Sequence, residues 1–299
     1  MIGSSSGVGR DGADGPRGAQ ISRLVLVGTP IGNLGDLTPR AVQALAAADV
    51  VCCEDTRHSR KLLSHAGVRA ERLVAVHEHN EQAQAVTVVR WLGEGKVVAV
   101  VTDAGLPGIS DPGERLVRAA AEAGHVVEVV PGPSAAVAGL VVSGLPTGRF
   151  CFEGFLPRSG SERGRRLAAV AGEERTTVLF EAPHRLAVTL AELAKACGPD
   201  RPCALARELT KLHEEVWRGT LGAAAERARE HPPLGEHVVV VGGAAPPEVG
   251  DDEVAAAVAE ARAAGLSARD AATEVAERLG VARNRAYAAT RSGPTQARQ

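Results

Sequence analysis

The stretch Val100-Val101-Thr102-Asp103-Ala104-Gly105-Leu106-Pro107-Gly108-Ile109-Ser110-Asp111-Pro112-Gly113 decides how the rest of the chain is read. It leaves the apolar run Val97 to Val101 and enters a helix-like stretch from Glu114, which makes it a loop at the carboxyl end of a buried strand. Ligands of open α/β sheets collect at such ends. Three glycines, two prolines and two aspartates in fourteen positions suit a backbone shaped to hold carboxylates. A tight strand-to-helix turn with capping aspartates uses the same residues, and spacing alone leaves both readings open.

Working outward, strand-like runs at Arg23 to Val27, Val50 to Cys53, Leu73 to Val76, Val97 to Val101 and Val126 to Val130 alternate with helical stretches such as Glu81 to Leu92 and Glu114 to Ala123. Thr38 before Pro39 is an N-cap with proline at the first helical position, and it predicts a helix to about Ala48. This βαβ rhythm predicts a mainly parallel sheet covered on both faces, over residues 22–147. From Arg149 the pattern changes. Strand-like runs at Phe150 to Glu153, Thr177 to Phe180, Cys203 to Ala206, Glu214 to Arg218 and His237 to Val241 predict a second, mixed sheet over residues 148–244. The connector Arg207 to His213 is too short for a helix and suits an antiparallel pair. Ala244-Ala245-Pro246-Pro247 reads as a linker, and residues 250–293 as a helical domain of three short helices punctuated at Gly265-Leu266-Ser267 and Gly280-Val281. Residues 1–21, with six glycines and few apolar positions, read as a disordered extension.

Composition narrows the function classes. At 299 residues the chain has room for about two cored domains on the ~150-residue prior. Hydrophobic residues make up 44% and aromatics only 2%, so the interior is Val, Leu and Ala, which argues against an aromatic platform for stacking bases. The formal charge of -2 hides Arg-rich patches, and local charge has to decide on a polyanionic partner. Five cysteines without a C-x-x-C, no apolar run of membrane-spanning length and no signal-peptide core predict a cytoplasmic protein. The glycine-rich entry at Gly28 is neither a dinucleotide fingerprint nor a P-loop. His77 and His79 alternate on a possible strand edge, but no third ligand completes a set, so no metal site is expected. Glu54-Asp55-Thr56-Arg57-His58 follows a buried strand and is either charged chemistry or a helix start.

Eight strings in one order carry the reading further: Gly28 to Leu34, Glu54 to Arg57, His77-Glu78-His79-Asn80-Glu81, Thr102 to Gly113, Pro131-Gly132-Pro133-Ser134-Ala135, Gly154-Phe155-Leu156-Pro157, Glu181-Ala182-Pro183-His184-Arg185 and Arg207-Glu208-Leu209-Thr210-Lys211. Through them the chain, over roughly Leu24 to Thr290, resembles the ribosomal RNA small subunit methyltransferase I family, within the tetrapyrrole-methylase class of S-adenosylmethionine enzymes. Leu106 stands where that family often has Thr, and Phe180 where a Tyr often precedes the Glu. The resemblance implies a tetrapyrrole-methylase-like α/β fold of two domains with a small C-terminal helical domain. It further implies S-adenosyl-L-methionine as methyl donor and 2'-O-methylation of a cytidine ribose in the decoding region of 16S rRNA, free or in the assembled 30S subunit. Class relatives pair, so a homodimer is expected.

Class resemblance places Pro30, Asp103, Gly105, Ile109, Ser134, Ala135, Leu156 and Ala206 around the cofactor. Candidates for a base at strand ends are Glu54, Asp55, His79 and Glu208. Gly28 and Gly132 read equally as plain turn residues. For RNA phosphates the candidates are Arg57, the group Arg158, Arg163, Arg165 and Arg166 around the single acid Glu162, and Arg283 and Arg285 in the tail. From Arg278 to Gln299 there are five arginines and no acid, an electrostatic footprint for phosphate. Two other readings stand beside this one. Relatives in the class methylate porphyrin-like rings, so a tetrapyrrole or other small-molecule methyltransferase shares the fold. A non-enzymatic nucleic-acid-binding regulator would use residues 251–291 as a helix-turn-helix.

Overall fold

A computed structural model of the chain describes residues 22–245 and 249–291. The disordered extension expected over residues 1–21 lies outside the described residues, as do Pro246 and Pro247 of the expected linker and Arg298 of the tail.

The first sheet is entirely parallel, as its near-continuous apolar strands require. Its strands are β1 (Arg23–Val27), β2 (Val50–Cys53), β3 (Leu73–Ala75), β4 (Val97–Val100) and β5 (Val126–Val130), in the order β3-β2-β4-β1-β5. Intervening helices α1 (Pro39–Ala47), α2 (Thr56–His65), α3 (Glu81–Gly93) and α4 (Glu114–Glu122) link the strands. One apolar layer gathers Leu24, Val98 and Val100 with Val88, Trp91 and Leu116, and a second gathers Val25, Val51, Ala99 and Val101 with Ala41, Leu45 and Leu63. The Thr38 hydroxyl accepts from the Ala41 amide and starts α1 as expected.

The second sheet is mixed, in the order β6-β7-β10-β8-β9, with β6 (Phe150–Phe155), β7 (Thr176–Glu181), β8 (Pro202–Arg207), β9 (Glu215–Thr220) and β10 (His237–Val241). β8 and β9 pair antiparallel across the short connector, as their spacing predicts. Between these strands run α6 (Gly160–Gly172), α7 (Pro183–Cys197) and α8 (Leu221–Glu230). The side-chain alternation along β10 sends Val239 and Val241 to the α7 and α8 side and Val238 and Val240 to the other, where α5 (Ala135–Ser143) packs. Helix α5 follows the first sheet in sequence yet packs on the second, so the two sheets form one compact unit through Ala244.

The remaining described residues form a second unit of three helices, α9 (Asp251–Ala263), α10 (Ala268–Leu279) and α11 (Arg283–Ala289). Ser267 caps α10 through the Asp270 amide, and Gly280 closes it in the left-handed region at φ 64°. Val254, Val258, Ala271, Ala272, Val275 and Ala286 make its own apolar core.

Candidate functional site

In the strand order β3-β2-β4-β1-β5 the chain passes to opposite sides of β1, and ligands of such sheets bind at that switch point, beyond the carboxyl ends of the strands. Three loops meet there. The Thr29 and Gly105 backbones exchange hydrogen bonds at 2.8 and 3.2 Å, and the Gly28 amide donates to the Val130 carbonyl at 2.9 Å. The Thr29 hydroxyl donates to the Thr102 and Gly105 carbonyls, both at 3.2 Å. A Cβ on Gly28 would lie 2.6 Å from the Gly132 nitrogen, and one on Gly132 would lie 2.8 Å from the Gly28 carbonyl carbon. Neither glycine has a positive φ, so both positions demand glycine for close backbone approach, and the turn reading gives way to that.

The loop 102–113 is held from below. The Glu81 carboxylate, buried at the start of α3, accepts from the Gly113 amide at 2.7 Å and the Arg115 amide at 3.0 Å. It supplies α4 with the N-terminal acceptor that Gly113, lacking a side chain, cannot give. Gly105, Gly108 and Gly113 take positive φ, and Ser110 does so without being glycine, at φ 62°. Ser110 reaches across to β6, where a Cβ on Gly154 would lie 3.0 Å from its hydroxyl.

Between this loop and the second sheet is a cavity of about 380 Å3, lined by Ile31, Gly105, Leu106, Ile109, Asp111, Ser134, Ala135, Phe155, Phe180, Glu181, Ala206, Leu209 and Val238 among others. That volume lies in the range of small-molecule and cofactor sites. Phe180 meets Phe152 and Phe155 edge-on at centroid distances of 5.0 and 5.6 Å, so where a tyrosine would offer a hydroxyl this chain has an aromatic wall. Asp111 on the cavity wall belongs to an acidic group with Glu54 and Asp103. The Thr102 hydroxyl donates to the Glu54 carboxylate at 3.2 Å, and Asp103 accepts from the Asp55 amide at 3.4 Å. Burial, then the neighbouring charge of Glu54, push the Asp111 carboxyl up to about 6, with Asp103 adding to the rise and the Thr102 hydroxyl opposing it.

Five expected cofactor residues, Gly105, Ile109, Ser134, Ala135 and Ala206, line this one cavity. Asp103 stands half-buried beside it in the acidic group, whereas Pro30 is buried in the loop after β1 and Leu156 lies in the core behind the second sheet. The four base candidates do not come together. Glu54 faces Thr102. Asp55 caps α2 and is held down to about 2 by hydrogen bonds from Arg57, and Glu208 is held low by the Glu236 amide and Lys211. His79 is exposed, its ring centroid 6.0 Å from that of His77, beyond the edge strand β3. Asp111 is the acid that strand-end logic passes over, because it lies far along the loop from the end of β4 and only folding of that loop returns it to Glu54.

The arginine candidates separate as well. Arg163 is buried and bonded to Glu192, Thr189 and the Pro157 carbonyl. Arg165 pairs with Glu162, Arg166 with Glu153, Arg57 with Asp55, and Arg285 with Asp251 and the Val249 carbonyl. Arg158 and Arg283 reach solvent at the surface of their units. The group expected around Glu162 is therefore not one patch, since α6 turns Arg163 inward while Arg165 points to solvent.

The fold and its switch-point cavity are those of a family whose model, "Tetrapyrrole (Corrin/Porphyrin) Methylases", matches residues 23–225, and the chain belongs to that family. A solved relative, uroporphyrin-III-C-methyltransferase from Thermus thermophilus, is 27% identical with a TM-score of 0.53, covering 74% of this chain and 94% of that one. Curated relatives are more similar. The ribosomal RNA small subunit methyltransferase I of Synechocystis is 43% identical over 88% of this chain and 95% of its own, and that of Mycobacterium tuberculosis 48% over 85% and 89%. Within the class, the chain belongs to the ribosomal RNA small subunit methyltransferase I family.

Proposed function

We propose that the protein transfers a methyl group from S-adenosyl-L-methionine to the 2'-oxygen of a cytidine ribose in the decoding region of 16S rRNA. The observation that carries this is the switch-point cavity, where apolar walls suited to a purine meet a carboxylate group suited to a cationic donor. Ile31, Ala135, Ala206, Leu209 and Val238 would hold the apolar part of the cofactor, and Asp103 its positive part. The sulfonium supplies an already activated methyl group, so the chain's work is alignment and exclusion of water. Asp111, with Glu54 beside it, takes the hydroxyl proton: a carboxyl raised to about 6 is mostly ionised at neutral pH and more basic than an ordinary aspartate.

The RNA is engaged through surface arginines, Arg158 and Arg283 foremost, with Arg57, Arg165 and Arg166 able to join where a phosphate displaces their carboxylate partners. Arg163 and Arg285 are held by carboxylates of the framework and make no direct bond to RNA. The active species is a homodimer. Exposed Val126 and Val129 on the edge strand β5, Val137 and Val141 on α5, and Phe150 at the start of the edge strand β6 offer apolar surface for it. No described helix is long and apolar enough to cross a membrane, and the five cysteines are unpaired, in keeping with a cytoplasmic enzyme. The test is label from methyl-tritiated S-adenosylmethionine offered with 30S subunits, with free 16S rRNA and with uroporphyrinogen III. Label in ribosomal RNA is expected, and label in the tetrapyrrole alone would replace the reading with its small-molecule rival.

A further inference from the structure

Two of the sequence strings, Gly154 to Pro157 and Glu181 to Arg185, wall the methyl-transfer cavity through Phe155, Glu181, Ala182 and Pro183, and the structure also binds them to each other. Arg185 donates to the Leu156 carbonyl at 2.7 Å and pairs with the buried Glu181 at 3.3 Å. Arg163, one turn into α6, donates to the Pro157 carbonyl at 2.8 Å and to the Thr189 hydroxyl at 2.9 Å. These bonds fix two guanidinium groups at the base of a hollow of about 460 Å3 between the beginnings of α6 and α7. Arg158 and His184 stand at its rim.

We propose that this hollow seats a phosphate of the RNA substrate, next to the nucleotide being methylated; the inference rests on the RNA methyl-transfer reading above. Charge is the first support. Arg158, Arg163 and Arg185 line the hollow; Glu192 pairs with Arg163 and Glu181 with Arg185, which leaves Arg158 to supply its net positive charge. A guanidinium held by carbonyls and carboxylates keeps its charge while losing freedom, so it contributes field at little ordering cost, and the Arg158 guanidinium and the His184 ring at the rim supply direct hydrogen bonds to the phosphate. Shape is the second. Gly160 and Gly164, a turn apart on the wall, leave open space where a Cβ would stand, so the backbone is accessible to a ligand. Parallel pairing of β6 with β7 starts both helices at the same end, which adds their positive ends to the field of the arginines. Position is the third. Ala182 and Pro183 line the methyl-transfer cavity while His184 and Arg185 line the hollow, so consecutive residues of one segment serve both. A phosphate seated here lies beside the reacting ribose, as the 5' or 3' neighbour of a bound nucleotide must.

The test uses the full-length protein with saturating S-adenosylmethionine and 30S subunits, comparing wild type with Arg158→Ala, His184→Ala and the double variant. Both side chains stand at the rim outside the apolar cores, so the variants keep the fold, and unchanged S-adenosylhomocysteine affinity verifies it. The KM for the subunit is expected to rise about tenfold in the double variant, with kcat changed far less. The log-log salt slope of binding to a single-stranded 16S rRNA fragment should fall by about 0.7 for each phosphate that the variant no longer neutralises. Arg158→Lys, which keeps the charge, should recover most of the KM. Inorganic phosphate should inhibit wild type more than the double variant. Wild-type KM and salt slope in the double variant overturn the inference while leaving the RNA reading intact. A wild-type protein that labels no ribosomal RNA overturns that reading, and this inference with it.

Discussion

At the scale of single residues, the half-buried Asp111 and the buried His237 make opposite predictions for pH. Asp111 is pushed from 3.8 to about 6, so the folded state holds its proton more tightly than the unfolded chain does. Its contribution to stability is therefore greatest in acid and declines as pH rises from about 4 through about 6. The same shift makes kcat/KM rise with pH through about 6, as the carboxylate forms. Asp111→Asn should lower kcat by about a hundredfold or more, remove that limb from the rate profile and leave S-adenosylhomocysteine binding in place. A variant with the wild-type profile would take Asp111 out of proton transfer. His237 behaves the other way. Burial lowers it from 6.5, and neither ring nitrogen has a partner in good hydrogen-bond geometry, although the Leu234 carbonyl and Glu208 and Glu215 partly offset the burial. The unfolded chain takes the proton first, so stability is lost as pH falls below 6.5. Urea midpoints at about pH 7.5 and about pH 5.5 should therefore separate more for wild type than for His237→Leu. Equal separations would show that the ring does not carry this dependence.

At the scale of elements, the loop 102–113 is shaped by its glycines and held by Glu81. Glu81→Ala removes a charged acceptor from two backbone amides and should cost about 2 kcal/mol, with a loss of cofactor affinity greater than that of a surface Glu→Ala change such as Glu78→Ala. Calorimetry with S-adenosylhomocysteine checks it, and unchanged affinity would mean the loop keeps its shape without this support. Much of the element order was legible in the sequence because local signals agree: Thr38-Pro39 opens α1, Gly280 closes α10, and apolar runs mark both sheets. The connector Arg207 to His213 forecast the antiparallel pair β8 and β9 for the same reason. What was not legible depends on distant segments meeting. Glu81 reads as an exposed helix start until Gly113 and Arg115 are folded against it. Gly28 and Gly132, 104 positions apart, read as turns until their backbones touch. Arg163 and Arg165 are two positions apart in sequence, and only the rotation of α6 sends one inward and the other to solvent.

At the scale of the whole molecule, the chain divides after Ala244 into a catalytic unit and a helical unit with its own core. A chain ending at Ala244 should fold and bind S-adenosylhomocysteine as the full protein does, while affinity for ribosomal RNA falls; equal RNA affinity would reduce the helical unit to a packing element. The proposed dimer makes a separate demand. Replacing both Val126 and Val129 by Lys, on an exposed edge strand, should shift light scattering at micromolar concentration from dimer to monomer mass. A wild-type monomer would remove the dimer, and a dimer that survives the change would move its interface elsewhere. The chemistry at the cavity is read out by mass spectrometry of the nucleosides. Subunits treated with the protein and deuteromethyl S-adenosylmethionine should yield, on digestion of their 16S rRNA, label in cytidine methylated on the ribose. Label on a base, on another nucleoside or nowhere in the RNA would contradict it.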